Sequence, residues 1–316
     1  MAARLVEPRS GARADGRFQI LVYHRVGPQI DPFFPGTLAA VFERQMRYIR
    51  RHFEVLSLTA LMQASEQREI PPRAIAVTFD DGYEDLYQHV LPIVRRYDIP
   101  ITIFLATGFI DADEPMWNDA VGFAIRDTGC SALSDLPGLR QPAPLQSPAQ
   151  RQEAFVEAQK VLKYQPLAER EELVQRIVRD LRVPAYSGPR MLNWAQVAEM
   201  HASGVEFGAH TVRHPILTCL PPGERWREIA DSKRAIEERL QMPVAHFAYP
   251  NGTVRDFDDA TKELVRKAGF SSAVTTVFGT NTPATDRYAL RRGGPWEEAI
   301  SVFATKLWWY RSREAS

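Results

Sequence analysis

Cysteine is scarce in this sequence: Cys130 and Cys219 are its only two among 316 residues. They lie far apart and show no CxxC spacing, so the chain offers neither a disulfide framework nor a thiolate zinc site. Such sparse cysteine usage is typical of a protein that works in a reducing compartment.

Long apolar runs are also missing. No stretch reaches the roughly 18 to 20 consecutive apolar residues that a membrane-spanning helix requires. The first 16 residues are rich in Arg, Ala and Gly and contain no apolar segment of signal-peptide type. We therefore expect a flexible tail over residues 1–16 and a cytoplasmic protein.

An excess of charge of either sign is absent as well, since 39 Lys and Arg residues balance 39 Asp and Glu residues. A neutral chain has no overall field that would draw it onto nucleic acid, so we expect no nucleic-acid partner. What is present is ordinary globular composition, with 45% hydrophobic residues to supply a core.

Short β-rich runs alternate along the chain with segments of helical periodicity. Strands are predicted at 18–24, 74–79, 101–106, 205–209, 245–249 and 272–277, and helices at 38–52, 83–97, 224–240 and 255–268. Repeated β and α units imply a parallel sheet with helices outside it, either open or closed into a barrel.

This alternation stops between about residues 111 and 190, which we interpret as a helical insertion in a domain spanning 17–295. Residues 131–150 have no periodicity and are predicted to form a loop. Residues 152–181 are predicted to be helical with a break at Pro166. A C-terminal amphipathic helix is predicted over 296–316.

Residues able to do chemistry stand at the ends of several predicted strands. Parallel α/β sheets and barrels place their ligand sites at the carboxyl ends of strands, so we expect these side chains to meet. They are His24, Asp80 and Asp81, His210 and His214, and the segment from Tyr249 to Asn251.

The pair His210 and His214 suits a metal ion, because residues four apart share a face if this stretch forms a helical turn. Asp80 and Asp81 point to opposite faces of an extended strand, which favours one carboxylate as ligand and the other as base. Two histidines and a carboxylate also describe the iron site of non-haem oxygenases, although those enzymes usually have a β-rich fold.

Several segments together resemble the NodB-homology polysaccharide deacetylases, carbohydrate esterase family 4. TFDDG at 78–82 and HTVRHP at 210–215 resemble the two signature motifs, and YHRV at 23–26 and FAYPNG at 247–252 extend the similarity. The resemblance runs from about residue 18 to 294. It implies an α/β fold, a distorted (β/α) barrel of about seven parallel strands, and hydrolysis of N-acetyl, less often O-acetyl, groups on sugars.

The resemblance also implies roles for individual residues. Asp80 would be the general base. Tyr249 and Asn251 would lie at the substrate and the oxyanion, where a backbone N–H near Asn251 would stabilise the negative charge. One divalent metal is implied, with zinc expected and cobalt, nickel, manganese or iron as alternatives. Its implied ligands are Asp81, His210 and His214.

The chain departs from the family pattern at two points. Most members have a late Leu-x-His acid, but no histidine follows His246 here. Permuted relatives take this acid from an early Tyr-His segment, so we assign the role to His24. Ala248 occupies the position where most members have an arginine that holds the base, and Arg292 is the candidate substitute.

An acetylated sugar, oligosaccharide or glycan precursor is the expected substrate, and a metal-dependent carbohydrate deacetylase is the expected enzyme. Without the late histidine, a non-catalytic carbohydrate-binding relative is the alternative. The aromatic residues of the C-terminal helix either pack on the barrel or rest on the inner membrane face as a peripheral contact.

Overall fold

The computed structural model describes residues 16–134, 136–138, 142–294 and 297–312. Most of the predicted N-terminal tail, residues 1–15, lies outside the described residues. Among the helices in these ranges, none combines the length and apolar character needed to cross a bilayer.

The strands in the described ranges are β1 (Phe18–Tyr23), β2 (Val26–Gly27), β3 (Thr37–Leu38), β4 (Glu54–Val55), β5 (Ala74–Phe79), β6 (Ile101–Leu105), β7 (Ala132–Leu133), β8 (Ala143–Pro144), β9 (Glu206–Ala209), β10 (His246–Ala248) and β11 (Ser272–Val274). A parallel sheet of six of them, in the order β1-β5-β6-β9-β10-β11, forms the centre of the molecule, and the short strand β4 pairs with β5 from outside this path. The six strands curl into a half-barrel with helices around it, which confirms the predicted α/β barrel architecture.

Strands β1 and β5 are buried along their whole length and pair in parallel from Phe18 with Ala74 to Tyr23 with Phe79. Strands covered on both faces need apolar side chains at nearly every position, which explains why both appear as continuous apolar runs in the sequence. This pairing aligns the residues that follow each strand at one edge of the sheet.

A segment after β11 bridges the two edge strands of the half-barrel. Leu290 forms a parallel bridge with Val274 of β11, and Gly293 forms one with Leu21 of β1. The Gly293 N–H donates to the carbonyl of Ile20 at 2.8 Å. Because residues 290–293 run between the two edges, the Arg292 side chain enters the barrel interior.

Ten α-helices are found in the described ranges: α1 (Ala39–His52), α2 (Leu58–Gln67), α3 (Leu91–Tyr97), α4 (Trp117–Asp127), α5 (Pro148–Lys163), α6 (Leu167–Asp180), α7 (Trp194–Ala202), α8 (Pro222–Leu240), α9 (Asp259–Lys267) and α10 (Ile300–Ser312). The predicted helix 83–97 is instead a π-helical turn, Leu86–Val90, followed by α3. The predicted helix 255–268 begins only at Asp259, because the Asp258 side chain caps its N-terminus by accepting from the Thr261 N–H.

The helical insertion contains α4, α5 and α6, and the break at Pro166 separates the last two. These helices share a hydrophobic core of their own, with Val121, Phe155 and Ile177 among its buried residues. The segment predicted as a loop, 131–150, contains a short antiparallel ribbon in which β7 and β8 pair, and α5 begins near its end at Pro148.

Helix α10 packs against the domain rather than standing free. Phe303 and Leu307 are fully buried in the main core. The Trp308 ring stacks on Phe53 with 5.2 Å between ring centroids, and its indole N–H donates to the Tyr48 hydroxyl at 3.0 Å. The apolar side chains considered for a membrane contact are therefore largely occupied in packing.

Candidate active site

The site lies at the carboxyl ends of β1, β5 and β9. His24 follows β1, Asp80 and Asp81 follow β5, and His210 follows β9. Both carboxylates and His210 are buried. The strand-end positions predicted from the sequence thus converge at one edge of the sheet.

The turn after β5 separates the two aspartates. Asp81 and Gly82 both have left-handed backbone conformations, with φ of 72° and 93°. The left-handed φ at residue 82 favours glycine. A Cβ atom there would also lie 2.7 Å from the Leu105 Cδ2 atom, so the Leu105 side chain would have to move. A left-handed aspartate costs about 1–3 kcal/mol, which the surrounding structure must offset.

The segment with the two histidines, residues 210–214, is a bent loop and not the helical turn that would have explained their spacing. Thr211 and His214 have left-handed φ angles of 68° and 52°. The His214 N–H donates to the Thr211 hydroxyl at 3.0 Å, which closes the loop. The two imidazole rings still meet, with 4.8 Å between their centroids.

Three potential ligand atoms face one another. The Nε2 atoms of His210 and His214 each lie 3.5 Å from the Asp81 Oδ1 atom. That oxygen is buried and accepts no hydrogen bond from any residue that the structure describes. The His210 Nδ1 atom lies 2.7 Å from the Ala248 carbonyl oxygen, a contact that assigns the proton to Nδ1 and leaves Nε2 free to bind a metal. This donor set fits one divalent cation.

The protonation states agree with metal binding. Burial lowers the pKa of His210 to about 4. Burial and the neighbouring His210 lower the pKa of His214 well below its usual value. Both imidazoles are therefore neutral at pH 7, as ligation requires. Burial, with the charges of Asp80 and Asp119, raises the pKa of Asp81, and a bound cation would reverse that shift.

Asp80 is held by Arg292 through two hydrogen bonds. The Arg292 Nη1 and Nη2 atoms donate to the two carboxylate oxygens at 2.7 and 2.6 Å, and Nε donates to the Thr275 carbonyl at 2.7 Å. Arg292 has 0% of its surface exposed. Burial alone would raise the pKa of Asp80, but the guanidinium overrides burial and holds that pKa well below its usual range.

His24 lies on the open side of Asp80. Its Nε2 atom is 4.0 Å from the Asp80 Oδ2 atom, and 41% of the His24 side chain is exposed. Partial burial lowers the pKa of His24, while the Asp80 carboxylate acts in the opposite direction. His24 is thus placed between the buried carboxylate and the space that a substrate would enter.

A cavity of about 500 Å³ opens above these groups. The insertion forms part of its wall through Asn118 and Asp119 of α4, which sequence reasoning did not identify. Burial raises the pKa of Asp119 to about 7, and the Tyr83 hydroxyl donates to it at 2.9 Å. The cavity is lined by His24, Arg25, Phe34, Pro35, Gly36, Thr37, Asp81, Tyr83, Asn118 and Asp119.

The structure corrects the expectation for the Tyr249 side chain. Tyr249 is fully buried, its hydroxyl donates to the Tyr288 carbonyl at 2.9 Å, and its ring stacks on Phe257. Its phenol therefore belongs to the core and not to the substrate site. Asn251 lies in a left-handed turn (φ 57°) beyond β10, at the same edge of the sheet as the candidate ligands.

Comparison with known proteins gives the family. A family model described as polysaccharide deacetylase matches residues 67–273 of the chain. The chain belongs to the polysaccharide deacetylase family. The match includes the aspartate pair and both histidines, whereas His24 and Arg292 lie outside it.

Individual relatives of this family match different shares of the chain. YxkH of Bacillus subtilis (strain 168), whose name places it among polysaccharide deacetylases, is 20% identical over 87% of this chain and 70% of its own length. A poly-beta-1,6-N-acetyl-D-glucosamine N-deacetylase of Staphylococcus aureus is 31% identical over 22% of this chain and 24% of its own length. The structure of IcaB from Ammonifex degensii superposes with a TM-score of 0.61 at 20% identity, covering 92% of this chain and 97% of that one.

Proposed function

We propose that this protein is a metal-dependent carbohydrate deacetylase that hydrolyses the N-acetyl group of a sugar, oligosaccharide or glycan precursor. One observation carries the proposal. Buried Asp81 and His210 form a cluster with half-buried His214, and one Asp81 carboxylate oxygen is unpaired among the described residues. This cluster adjoins a second carboxylate, Asp80, which Arg292 holds at the floor of an open cavity.

Zinc is the proposed metal, since imidazole and carboxylate ligands with open coordination positions are typical of catalytic zinc sites, and cobalt, nickel, manganese and iron accept similar donors. A cation held by these residues would lower the pKa of a bound water and polarise the acetyl carbonyl.

The protein's own groups would move the protons. Arg292 keeps Asp80 ionised, so its carboxylate can accept the proton of the attacking water. His24, on the cavity side of Asp80, would donate a proton to the departing amine. A backbone N–H near Asn251 is the proposed oxyanion donor.

The first test measures metal content and acetate release on the same preparations. We expect one zinc per wild-type chain after stripping and reloading, and acetate from oligomers of N-acetylglucosamine. His214→Ala should lose the metal, whereas Asp80→Asn should keep the metal and lose turnover. Asp98→Asn, at an exposed aspartate, is the matched control and should behave as wild type.

Other results of these measurements would indicate other functions. Saturable binding of the oligomers without acetate at any pH would indicate a carbohydrate-binding relative. Release of acetate from an O-acetylated sugar but not from the N-acetylated oligomers would change the substrate class. Oxygen consumption by the iron-loaded protein would indicate an oxygenase, for which the parallel α/β fold gives no support.

A further inference from the structure

Most backbone groups of the loop that carries His214 are paired with neighbouring elements. We call residues 210–214 the ligand loop. The Thr107 N–H donates to the Thr211 carbonyl at 3.1 Å, and the Gly108 N–H donates to the Val212 carbonyl at 2.8 Å. These contacts attach one side of the ligand loop to the segment after β6.

Glu228 of α8 binds the loop from a second direction. Its Oε2 atom accepts from the N–H groups of Val212 and Arg213 at 2.8 and 2.9 Å. Glu228 is buried, so these two charge-assisted hydrogen bonds are shielded from water. They do not involve the carbonyl groups at the end of the loop.

Those last carbonyls are bound by the insertion. Arg170 of α6 donates from Nη2 to the Arg213 carbonyl at 3.2 Å and from Nη1 to the His214 carbonyl at 3.3 Å. Only 3% of Arg170 is exposed, and its guanidinium lies 5.2 Å from the centre of the Trp117 ring of α4. A buried cation thus joins two insertion helices to the backbone of a candidate metal ligand.

The shape of the arginine side chain explains this choice of residue. A guanidinium presents several N–H donors in a rigid planar fork, so it can bind two consecutive carbonyls while its face rests on an aromatic ring. His214 has a left-handed backbone, and its Nδ1 atom has no hydrogen-bond partner within the described ranges of the chain. The orientation of its imidazole therefore depends on how firmly the backbone is held.

We propose that Arg170 is a positioning residue that fixes the ligand loop, and with it His214, for metal binding. The helical insertion thereby supports the metal site as well as lining the cavity. This inference rests on the proposed function, because it assumes that Asp81, His210 and His214 bind a cation.

The test uses the full chain and measures metal binding, not turnover. Affinity for Zn²⁺ is measured by competition with a chromophoric chelator, and ligand geometry is read from the visible absorption of the Co²⁺-loaded protein. Arg170→Met keeps most of the side-chain volume without the donors, and Arg170→Lys keeps a single cationic donor group. Arg179→Met, on the same helix at a side chain that is 71% exposed, is the matched control.

Arg170→Met is expected to weaken Zn²⁺ binding by about 10- to 100-fold, as is usual when a residue that supports a metal ligand is lost, and to change the Co²⁺ spectrum. Arg170→Lys should recover part of the affinity, and Arg179→Met should match wild type. Unfolding of each metal-free variant in urea shows whether it is folded. If Arg170→Met does not fold, Trp117→Leu, which removes only the surface under the guanidinium, should give a smaller loss in the same direction.

Wild-type affinity and an unchanged spectrum in folded Arg170→Met would overturn the inference while leaving the proposed function intact. Equal losses of Zn²⁺ affinity in Arg170→Met and Arg170→Lys would also contradict it. A wild-type protein that binds no metal at any loading would overturn both the proposed function and this inference.

Discussion

At the scale of single residues, Arg292 and Asp80 form a buried ion pair in the site. Both side chains are buried, and two hydrogen bonds of 2.7 and 2.6 Å join them. Removing one partner of a buried ion pair leaves a charge without compensation, which is more costly than replacing both partners. The pair therefore matters for stability as well as for keeping Asp80 ionised.

Replacing Arg292 with methionine should lower the free energy of unfolding by about 3–5 kcal/mol and reduce kcat/KM, while metal content stays at the wild-type level. Urea denaturation and metal analysis measure these effects. The double variant Arg292→Met with Asp80→Asn should regain part of the stability, since the isolated charge is gone. A double variant less stable than Arg292→Met would contradict this explanation.

Replacing His24 should affect turnover and leave stability unchanged, in contrast to replacing Arg292. His24→Ala should keep the metal and the wild-type stability but lose about 10²- to 10⁴-fold in kcat, the usual contribution of a general acid. His201→Ala serves as control, because that residue lies on α7, away from the cavity residues. Near wild-type turnover in His24→Ala with metal bound would remove His24 as the acid.

Some of the site residues could be predicted from the sequence and others could not. His24, Asp80 and His210 were predictable because the carboxyl ends of parallel strands must meet. Asp119 and Arg170 were not, since both lie in helices whose sequence pattern is ordinary and only the packing of the insertion brings them to the site. The core position of the Tyr249 side chain was not predictable, because a tyrosine at a strand end can face either the core or the cavity.

At the scale of elements, the six strands of the sheet were predictable to within three residues at either end because they are largely buried on both faces. Helices α2 and α7 and the short strands β2, β3, β4, β7 and β8 were not predicted. The side chains of His210 and His214 were expected to meet if this stretch formed a helical turn. They meet instead because Thr211 and His214 have left-handed backbone conformations. Periodicity indicates regular elements, and it carries no information on such loops.

The segment after β6 should be intolerant of side-chain volume where it contacts the ligand loop. A Cβ atom at Gly108 would lie 2.7 Å from the Val212 carbonyl oxygen. Gly108→Ala should therefore displace the loop and weaken Zn²⁺ affinity measured by chelator competition. Gly223→Ala, where an added Cβ meets nothing within 4 Å, is the control and should keep wild-type affinity. Equal affinities would show that the loop tolerates the displacement.

A buried polar cluster lies at the opposite end of the sheet from the active site, where β9, β10 and β11 begin. Glu206 accepts from the Thr102 hydroxyl at 2.6 Å, and His246 lies 3.5 Å from Glu206 and 2.8 Å from the Ser272 hydroxyl. Burial alone would raise the pKa of Glu206, but hydrogen bonds from His246, Thr102 and Thr59 lower it from 4.5 to about 2.

A carboxyl with a lowered pKa in the folded state stabilises the protein above its unfolded pKa and loses that contribution as the pH falls toward the folded value. Glu206→Gln should thus be less stable than wild type by about 2–3 kcal/mol at pH 7. The difference should shrink as the pH falls below about 4.5. Urea denaturation of both proteins between pH 7 and pH 3 measures it, and a difference independent of pH would exclude the Glu206 carboxylate as its source.

At the scale of the whole molecule, both ends of the described chain come together on the half-barrel. The Arg17 guanidinium donates to the Arg311 carbonyl at 2.8 Å, and the Gln19 side chain donates to the Leu307 carbonyl at 3.1 Å. Helix α10 thus contacts β1 directly and covers the core beside α1. The sequence showed an aromatic C-terminal helix, but it did not show which surface that helix covers.

The packing of α10 against the domain leads to predictions for the free energy of unfolding and for binding to lipid vesicles. Leu307→Ala should lower the free energy of unfolding by about 2–5 kcal/mol, the usual cost of truncating a fully buried leucine. Trp309→Ser should change it little, since 46% of Trp309 is exposed. Because Phe303 and Leu307 are committed to the core, wild-type protein mixed with anionic vesicles should stay in the unbound fraction on flotation. Flotation of the wild type that Trp309→Ser abolishes would instead show that the exposed side of α10 binds the membrane while its buried side stays docked.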